Sequence, residues 1–405
     1  MRANIWLLRF ISIVRWFLLV MPVIIIFYQS NGLSLFEVFS IQAFFSLCVL
    51  LFEVPTGYIG DRFGWNFSLI LGAYFAVFSM FLLMISFHYG MFLIAEFFMA
   101  LSYCLFSGSD SALLYETLVD LNREQDYLAE EGMLLACGYV SEGVAAIVGG
   151  VLAYISIRLP FVSNFFALLL LIPLSYFLLQ PSNHQSLARP GLAMEGKRYL
   201  RNDFSKIINF VRSEPLIKWV AIYSGFSGFL ALASAWLMQS YFKLTGFEIY
   251  YIGIIWALLN FSRSLAAGWV GVINYRIGTI RLFFFAPLIM GGCALFMGLY
   301  VSLGAMIVGL LIQAMRGLQL PLVFTIINNR TSSDVRAAVL SLEGMMMRLF
   351  FVFFGPLLGL LSDYESIHIA FYAIAALALV GGLLIFYKFQ HFFHARNVSA
   401  ADPAL

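Results

Sequence analysis

Ten charged side chains of this 405-residue sequence lie inside long apolar stretches or at their edges. A carboxyl group in such surroundings is suited to carrying a proton, because the neutral acid is far cheaper to desolvate than the carboxylate. An arginine there is suited to binding a carboxylate or phosphate, since the guanidinium group presents its donors in a fork. For each residue the alternative is a structural ion pair. The ten residues are Arg9, Arg15, Arg263, Arg316, Arg348, Glu53, Glu96, Asp110, Glu142 and Glu343.

The composition indicates that lipid is the main solvent of the chain. Hydrophobic residues make up 62% of the sequence, charged residues only 11%, and the mean hydropathy is +0.93. Soluble domains carry roughly 25% charged residues, so an ordinary water-soluble enzyme is excluded, as are a disordered protein and a disulfide scaffold. A net charge of +2 does not indicate nucleic acid as a partner. The spacing of the four cysteines and five histidines is not that of a metal site, and we expect no cofactor.

Hydropathy predicts an all-α membrane protein with twelve transmembrane helices in two six-helix, pseudo-symmetric halves. A span needs about 20 largely apolar residues, and the connections between the candidates are short except for 181–215, which is polar and basic. We therefore predict halves at 1–180 and 216–405, a linker at 181–215 with a short surface helix near 203–212, and a C-terminal tail. The predicted spans lie near 5–28, 36–56, 67–87, 91–113, 133–155, 160–180, 216–240, 249–272, 281–300, 304–326, 337–361 and 367–390.

The distribution of Lys and Arg predicts the orientation. If the N-terminus is cytoplasmic, only Arg158 and Lys243 among the basic residues of the connections lie on the opposite side. Because short cytoplasmic loops are rich in Lys and Arg, we predict a multi-pass protein with the linker, the tail and both termini in the cytoplasm. The short loops are typical of a prokaryotic inner membrane.

The two halves share a motif at equivalent places. G-Y-I-G-D-R-F-G follows the second span, from Gly57 to Gly64, and G-W-V-G-V-I-N-Y-R-I-G follows the eighth, from Gly268 to Gly278. Both begin G-x-x-G and end R-x-G. A weak match that recurs at equivalent positions predicts an internal repeat, which is a common plan among transporters.

These residues resemble the major facilitator superfamily, which carries G-x-x-x-D-R-x-G-R-R between its second and third helices. Gly57, Asp61, Arg62 and Gly64 match the pattern, whereas Trp65 and Asn66 replace its last basic pair. The runs F-E-V-P-T-G at 52–57 and S-G-S-D-S-A-L-L-Y-E at 107–116 are similar to a prokaryotic branch that includes drug-efflux-like members.

The resemblance implies that this segment is a cytoplasmic gate. In the family such a charge cluster holds the two halves together when the cavity opens outward. Gly57, Asp61, Arg62 and Gly64 would then act with Glu116 and Arg336, which are suitable partners by position. The alternative is a solvated turn whose charges only fix the topology.

Polar residues at helical spacing predict the sides of several spans that face away from lipid. Glu96, Tyr103 and Asp110 are seven residues apart, and Gln313, Arg316 and Gln319 are three apart. Such stripes suit an aqueous cleft, which the family lines with helices 1, 4, 7 and 10. The predicted substrate-binding residues are Arg15, Tyr103, Arg263, Gln313, Arg316 and Arg348, and the predicted proton-coupling residues are Glu96, Asp110, Glu142 and Glu343.

Two features depart from the pattern of the family's proton-coupled exporters. An arginine is common early in helix 4, where this chain has Glu96, and Arg316-Gly317 in the second half is closer to that pattern. Of the exporters' G-P-x-x-G-G motif only the pair Gly149 and Gly150 remains. The alternative for these glycines is close helix packing.

The resulting prediction is a secondary active transporter that moves a small organic solute by alternating access, with proton coupling and efflux favoured. The buried arginines keep open a proton-coupled transporter of an organic anion, such as a carboxylate metallophore, in either direction. The alternatives from other functional classes are a non-transporting receptor and an intramembrane enzyme. We expect protons, the solute and the bilayer as partners, and a monomeric protein without enzymatic activity.

Overall fold

The protein is described here by a computed structural model that covers residues 1–181, 213–331 and 333–397, with the side chains of 333–338 and 394–397 outside the description. Within these ranges all regular elements are helical, and the surface helix expected near 203–212 lies outside them. Before the linker the helices are α1 (Arg2–Trp16), α2 (Ile24–Ser30), α3 (Leu35–Phe63), α4 (Trp65–Ile85), α5 (Tyr89–Phe106), α6 (Ser109–Asp120), α7 (Tyr127–Ile155), α8 (Leu159–Leu169) and α9 (Leu171–Tyr176). After the linker they are α10 (Pro215–Leu244), α11 (Tyr250–Gly268), α12 (Val270–Ile277), α13 (Thr279–Leu299), α14 (Leu303–Asn328), α15 (Ser333–Tyr364), α16 (Ile367–Ala376) and α17 (Leu383–Asn397).

The described residues contain ten helical segments that are long and apolar enough to cross a bilayer. Two of the twelve predicted spans are not among them. The first is divided between α1 and α2, because Pro22 lacks an amide hydrogen and disfavours a helical residue before it. The eighth, α11, carries Asn260 and Arg263, which lower its hydropathy.

Several helix boundaries differ from the hydropathy prediction. The second span does not end at 56 but continues as helix to Phe63, so that Asp61 and Arg62 lie in the last turn of α3. The fourth span is interrupted at Gly108, which has φ +79°, and continues as α6 to Asp120. The twelfth contains a π-helical turn at Leu377–Gly382 between α16 and α17. Hydropathy does not register these changes, because it averages over about 20 residues and carries no information on backbone conformation.

Local sequence fixes several helix starts. At α3 a capping box forms, in which Ser34 Oγ accepts from the Glu37 amide at 3.2 Å and the Ser34 amide donates to Glu37 Oε2 at 2.9 Å. At α14 Ser302 Oγ accepts from the Ala305 amide at 3.1 Å. Proline stands at the start of α10, where its missing amide hydrogen leaves no helical bond unmade.

The chain forms two compact units. One consists of Met1–Pro190 with Gly246–Ala257, and the other of Gly191–Thr245 with Leu258–Leu405. In the second unit Tyr223, Phe283 and Phe389 pack together in the core, and the Tyr223 hydroxyl donates to the Phe283 carbonyl at 2.6 Å. This core holds α10, α13 and α17 of the second unit together.

Candidate functional site

A buried ion pair joins α14 and α15 in the second unit. The Arg316 guanidinium donates to Glu343 Oε1, and the two residues are 6% and 7% exposed. Arg316 also donates to the Ser224 carbonyl at 3.1 Å and to its hydroxyl at 2.9 Å. Arg316, predicted to bind substrate, and Glu343, predicted to couple protons, are thus partners. Ser224 of α10 is a further hydrogen-bond partner of Arg316.

The polar stripe of α14 packs against α10 along its length. Gln313 Nε2 donates to the Ala231 carbonyl at 2.8 Å, and Gln319 Nε2 donates to the Tyr223 hydroxyl at 2.9 Å. The Ser227 hydroxyl donates to Gln319 Oε1. Gln313 and Gln319 are nearly inaccessible. These side chains therefore make their hydrogen bonds inside a packed interface between α14 and α10. The spacing of the stripe alone predicts the wall of an open cleft.

Arg263 on α11 is the exposed member of the arginine set in this unit. Its guanidinium donates to Gln313 Oε1 at 2.6 Å. A Cβ on Gly317 would lie 2.2 Å from the Arg263 carbonyl oxygen, so a residue without a side chain is needed at this crossing of α11 and α14. Arg348 is half-buried and donates to the Gly344 carbonyl at 3.3 Å, within its own helix. Arg263 and Gln313 are thus brought together, whereas Arg348 makes its described bond elsewhere.

A second ion pair lies in the first unit, between the end of α1 and the start of α6. Arg15 donates to Asp110 Oδ2 at 3.0 Å, and the two side chains are 17% and 24% exposed. The Arg15 guanidinium carbon lies 4.7 Å from the ring centre of Phe106 and 5.8 Å from that of Tyr103. Three predicted residues, Arg15, Tyr103 and Asp110, therefore lie together. The aromatic rings stabilise the partly accessible guanidinium cation.

Glu96 lies apart from this pair, although it shares the seven-residue spacing. Its Oε1 accepts from the Tyr28 hydroxyl at 2.6 Å and from Gln42 Nε2 at 3.4 Å, and the residue is 4% exposed. In the described part of the chain no basic side chain pairs with it. The sequence reasoning missed Tyr28 and Gln42, because no periodic signal links them to α5.

The remaining acidic residues of the membrane region have separate surroundings. Glu142 is half-buried on α7, and Glu53 is half-buried on α3. Arg9, which is one of the ten charged residues but not among the predicted substrate-binding residues, pairs with Glu130 at the start of α7. Glu130 is a partner that the scan of apolar segments missed, because it lies just outside the predicted fifth span.

The predicted gate residues lie around the junction of α3 and α4 and on α6. Gly57 is exposed, with open space around it, and Asp61 and Arg62 are exposed in the last turn of α3. Arg62 donates to the Tyr58 hydroxyl at 2.9 Å. Gly64 is buried with φ +109°, and Glu116 is half-buried on α6. The side chain of Arg336 lies outside the described residues.

Comparison with known proteins gives one sequence match and a set of structural ones. The model of the Major Facilitator Superfamily matches residues 5–312. A search of curated proteins finds no match. A mutant of the nucleoside transporter NupG has a similar structure, with a TM-score of 0.77 and 11% identity over 96% of this chain and 99% of that chain. A POT family transporter in complex with 5-aminolevulinic acid has a TM-score of 0.74 and 14% identity over 96% of each chain. At these identities the structural likeness concerns the fold.

Proposed function

Because the chain belongs to the major facilitator superfamily, we propose that it exports a small organic solute across the inner membrane by alternating access, driven by protons. Family membership makes it a multi-pass membrane protein and a secondary transporter rather than an enzyme. The direction, the coupling ion and the class of solute are the parts that we propose. In this family fold two helical bundles rock about a site near the middle of the membrane.

Glu96 is the observation that carries the proton coupling. Its carboxyl group is buried on a spanning helix, and its two described hydrogen-bond donors, Tyr28 and Gln42, are neutral. A carboxylate at this position has no described counter-ion, whereas the protonated acid has no charge that needs one. A proton taken up from one side and released to the other is therefore the change of state that this site favours.

The other candidates for proton carriage are less suited. Asp110 and Glu343 each accept from an arginine, Arg15 and Arg316 respectively. Protonation of either carboxylate would leave a guanidinium group without its anionic partner, which is costly where the pair is buried. Glu142 is half-buried and remains a candidate. We therefore place Glu96 first and the two paired acids after it.

Transport by the purified full chain in sealed proteoliposomes tests the proposal. Across a panel of small organic solutes, an imposed proton gradient should drive accumulation of at least one, and Glu96→Gln should abolish this accumulation. The variant should still exchange labelled for unlabelled solute, because exchange needs alternating access but no net proton movement. Glu124→Gln is the matched control, since it removes an exposed carboxylate just before the start of α7.

The outcomes separate the two parts of the proposal. Gradient-driven accumulation that persists in Glu96→Gln would move the proton site to another carboxyl group. Absence of gradient-driven flux for the whole panel in the wild-type protein, with exchange intact, would contradict proton coupling. Solute movement opposite to the proton movement identifies a protein that exports its solute. Solute movement in the same direction as the protons identifies an importer.

An organic anion is the second candidate for the solute, and Arg15 favours it. Arg15 is partly exposed and lies beside the rings of Phe106 and Tyr103, and its partner Asp110 is itself a quarter exposed. A carboxylate solute could replace Asp110 as the acceptor of the guanidinium fork. Inhibition of exchange by simple carboxylates, lost in Arg15→Gln but kept in Arg276→Gln at the exposed end of α12, would support an anion over a neutral amphipathic compound.

The remaining assignments are proposals about architecture. We propose six-helix halves at 1–180 and 216–405 with a cytoplasmic linker at 181–215, a monomeric protein, and both termini in the cytoplasm. The gate would comprise Gly57, Asp61, Arg62, Gly64, Glu116 and Arg336. The exposure of Asp61 and Arg62 at the end of α3 supports this role, because the resemblance implies a cluster of charges on the surface at this position. Asp61→Asn should alter the balance between inward-facing and outward-facing states.

A further inference from the structure

A groove between α13 and α17 in the second unit has a polar end and an apolar floor. Its volume is about 520 Å³. Arg281 lies in the first turn of α13, and Gln390 and Tyr387 lie on α17. Phe284 and Leu383 line the deeper part. We propose that this groove binds an anionic phospholipid of the surrounding bilayer, with its phosphate at Arg281 and an acyl chain along the floor.

The depth of the residues fits a lipid that stands upright in the membrane. Arg281 is the third residue of its spanning helix, and Phe284 and Phe285 follow one turn further in. Leu383 precedes Gln390 by seven residues on α17, which corresponds to about 10 Å along a helix. Polar donors therefore lie where a span meets the headgroup layer, and apolar side chains lie where acyl chains begin.

The lining presents the donors that a phosphate needs. The Arg281 guanidinium group forms no ion pair within the described residues, and its side chain is exposed. Tyr387, with a hydroxyl donor, is 68% exposed. Gln390 adds an amide donor at the same end. Guanidinium is well matched to phosphate oxygens because it offers two parallel N–H donors.

Charge complementarity selects an anionic lipid over a neutral one. No aspartate or glutamate occurs between residues 249 and 333, nor between 366 and 401, and both helices of the groove come from these stretches. Arg276, Lys388 and His391 are exposed near the same ends of these helices. Basic pockets between spanning helices at a membrane surface bind acidic headgroups. A zwitterionic headgroup would gain less from this field.

The floor is shaped for a hydrocarbon chain rather than for a free ion. Phe284 and Phe285 are exposed on the spanning surface, with 39% and 46% of their area accessible. The ring of Phe284 packs against that of Phe386 with centroids 5.6 Å apart, which gives the groove a firm aromatic wall. An inorganic phosphate would use only the polar end and leave this apolar surface uncovered.

Native mass spectrometry of the delipidated full-length protein, titrated with phosphatidylglycerol, tests the proposal. Arg281→Gln should weaken the tightest phosphatidylglycerol site about tenfold, which is the scale of one charge-assisted hydrogen bond. Arg276→Gln removes the same charge nearby but outside the groove, so it weakens only the surrounding field and should reduce binding much less than Arg281→Gln. Leu383→Trp should also weaken binding, because it fills the floor and leaves every charge in place.

Two further arms identify the ligand. Phosphatidylcholine should bind more weakly than phosphatidylglycerol, and excess inorganic phosphate should not displace the lipid. Equal binding of phosphatidylglycerol by Arg281→Gln and wild type would overturn the proposal, as would equal affinity for the two lipids. Displacement by inorganic phosphate would assign the site to a free anion instead.

Discussion

Gly64 and Gly278 adopt the same backbone conformation at corresponding places in the chain. Gly64 has φ +109° and ψ 143°, and Gly278 has φ +88° and ψ 145°. Each ends one helix and begins the next, at the junctions of α3 with α4 and of α12 with α13. Each also ends an R-x-G sequence. The weak sequence match between the halves thus corresponds to the same helix–glycine–helix junction at both places, which supports an internal repeat.

Replacement of either glycine by alanine should destabilise the protein. An L-residue at this φ and ψ costs about 1–3 kcal/mol. At Gly278 a Cβ would have open space, so Gly278→Ala measures the backbone cost alone. At Gly64 a Cβ would lie 3.0 Å from the side-chain oxygens of Asn66 and Gln180, so a further loss is expected. Thermal unfolding of the purified protein in detergent compares the two variants.

Gly57→Ala is the matched control for this pair. Gly57 lies within α3 and has open space around it, so alanine should be neutral or stabilise the helix by about 0.5–1 kcal/mol. A loss at Gly57 as large as that at Gly278 would mean that any added methyl group in this motif is harmful. The backbone explanation would then be wrong.

Neutralising one member of the Arg316–Glu343 pair should be severely destabilising. Glu343→Gln leaves a guanidinium group that is 6% exposed without its anionic partner. Removing one partner of a buried pair typically costs about 3–5 kcal/mol. The Ser224 contacts remain and offset only part of this loss. Thermal unfolding should show a much lower midpoint than Glu365→Gln, which removes an exposed carboxylate.

The double variant Arg316→Met, Glu343→Leu separates charge from packing. Because neither side chain then carries a charge, most of the stability lost in Glu343→Gln should return. Transport should not return if the pair takes part in the conformational cycle. A double variant as unstable as Glu343→Gln would show that shape and the Ser224 bonds, rather than the unpaired cation, account for the loss.

Hydropathy predicts most of the fold because a spanning segment must satisfy its backbone internally, which favours helices. It does not predict where a span is interrupted. The break before α2 depends on Pro22, and the break before α6 depends on the conformation of Gly108. Pro22 lies in an apolar stretch that continues beyond it, and Gly108 lies inside a predicted span, so neither break is visible in the average hydropathy. The composition therefore predicted spans, and the structure supplied their interior breaks.

The charged residues show the same division. Their cost in lipid predicts that Arg15, Arg316 and Glu343 pair, face water or lie near the surface. Spacing along one helix cannot name a partner on another, because that choice depends on how the helices pack. Glu96 shows this most clearly, since Tyr28 lies 68 residues earlier in the sequence. Its hydroxyl becomes a partner only through the packing of α2 against α5.

Gly149→Ala should destabilise the contact between α7 and the segment that follows α1. A Cβ at Gly149 would lie 2.0 Å from the Leu19 carbonyl oxygen, so one of the two backbones must move. Overpacking of this kind costs about 1–3 kcal/mol. Gly143→Ala, on the same helix with nothing within 4 Å, is the control and should not lower the unfolding midpoint. Equal effects at the two sites would exclude close packing as the reason for the glycine at 149.

Arg263 should be reachable by water although it lies on a spanning helix. Its side chain is exposed, and a charge there is tolerated only beside water or a partner. In a background with Cys48, Cys104, Cys137 and Cys293 replaced by alanine, Arg263→Cys should react with a membrane-impermeant charged thiol reagent. Gln313→Cys should not react, because Gln313 is 1% exposed.

Phe261→Cys is the control that distinguishes water from lipid. Phe261 lies on α11 with Arg263 and is 62% exposed, but a thiol that faces lipid is rarely ionised and should not react. Reaction at 263 alone would support an aqueous path beside α11, whereas equal reaction at 261 and 263 would show that exposure on this helix does not discriminate between the two solvents.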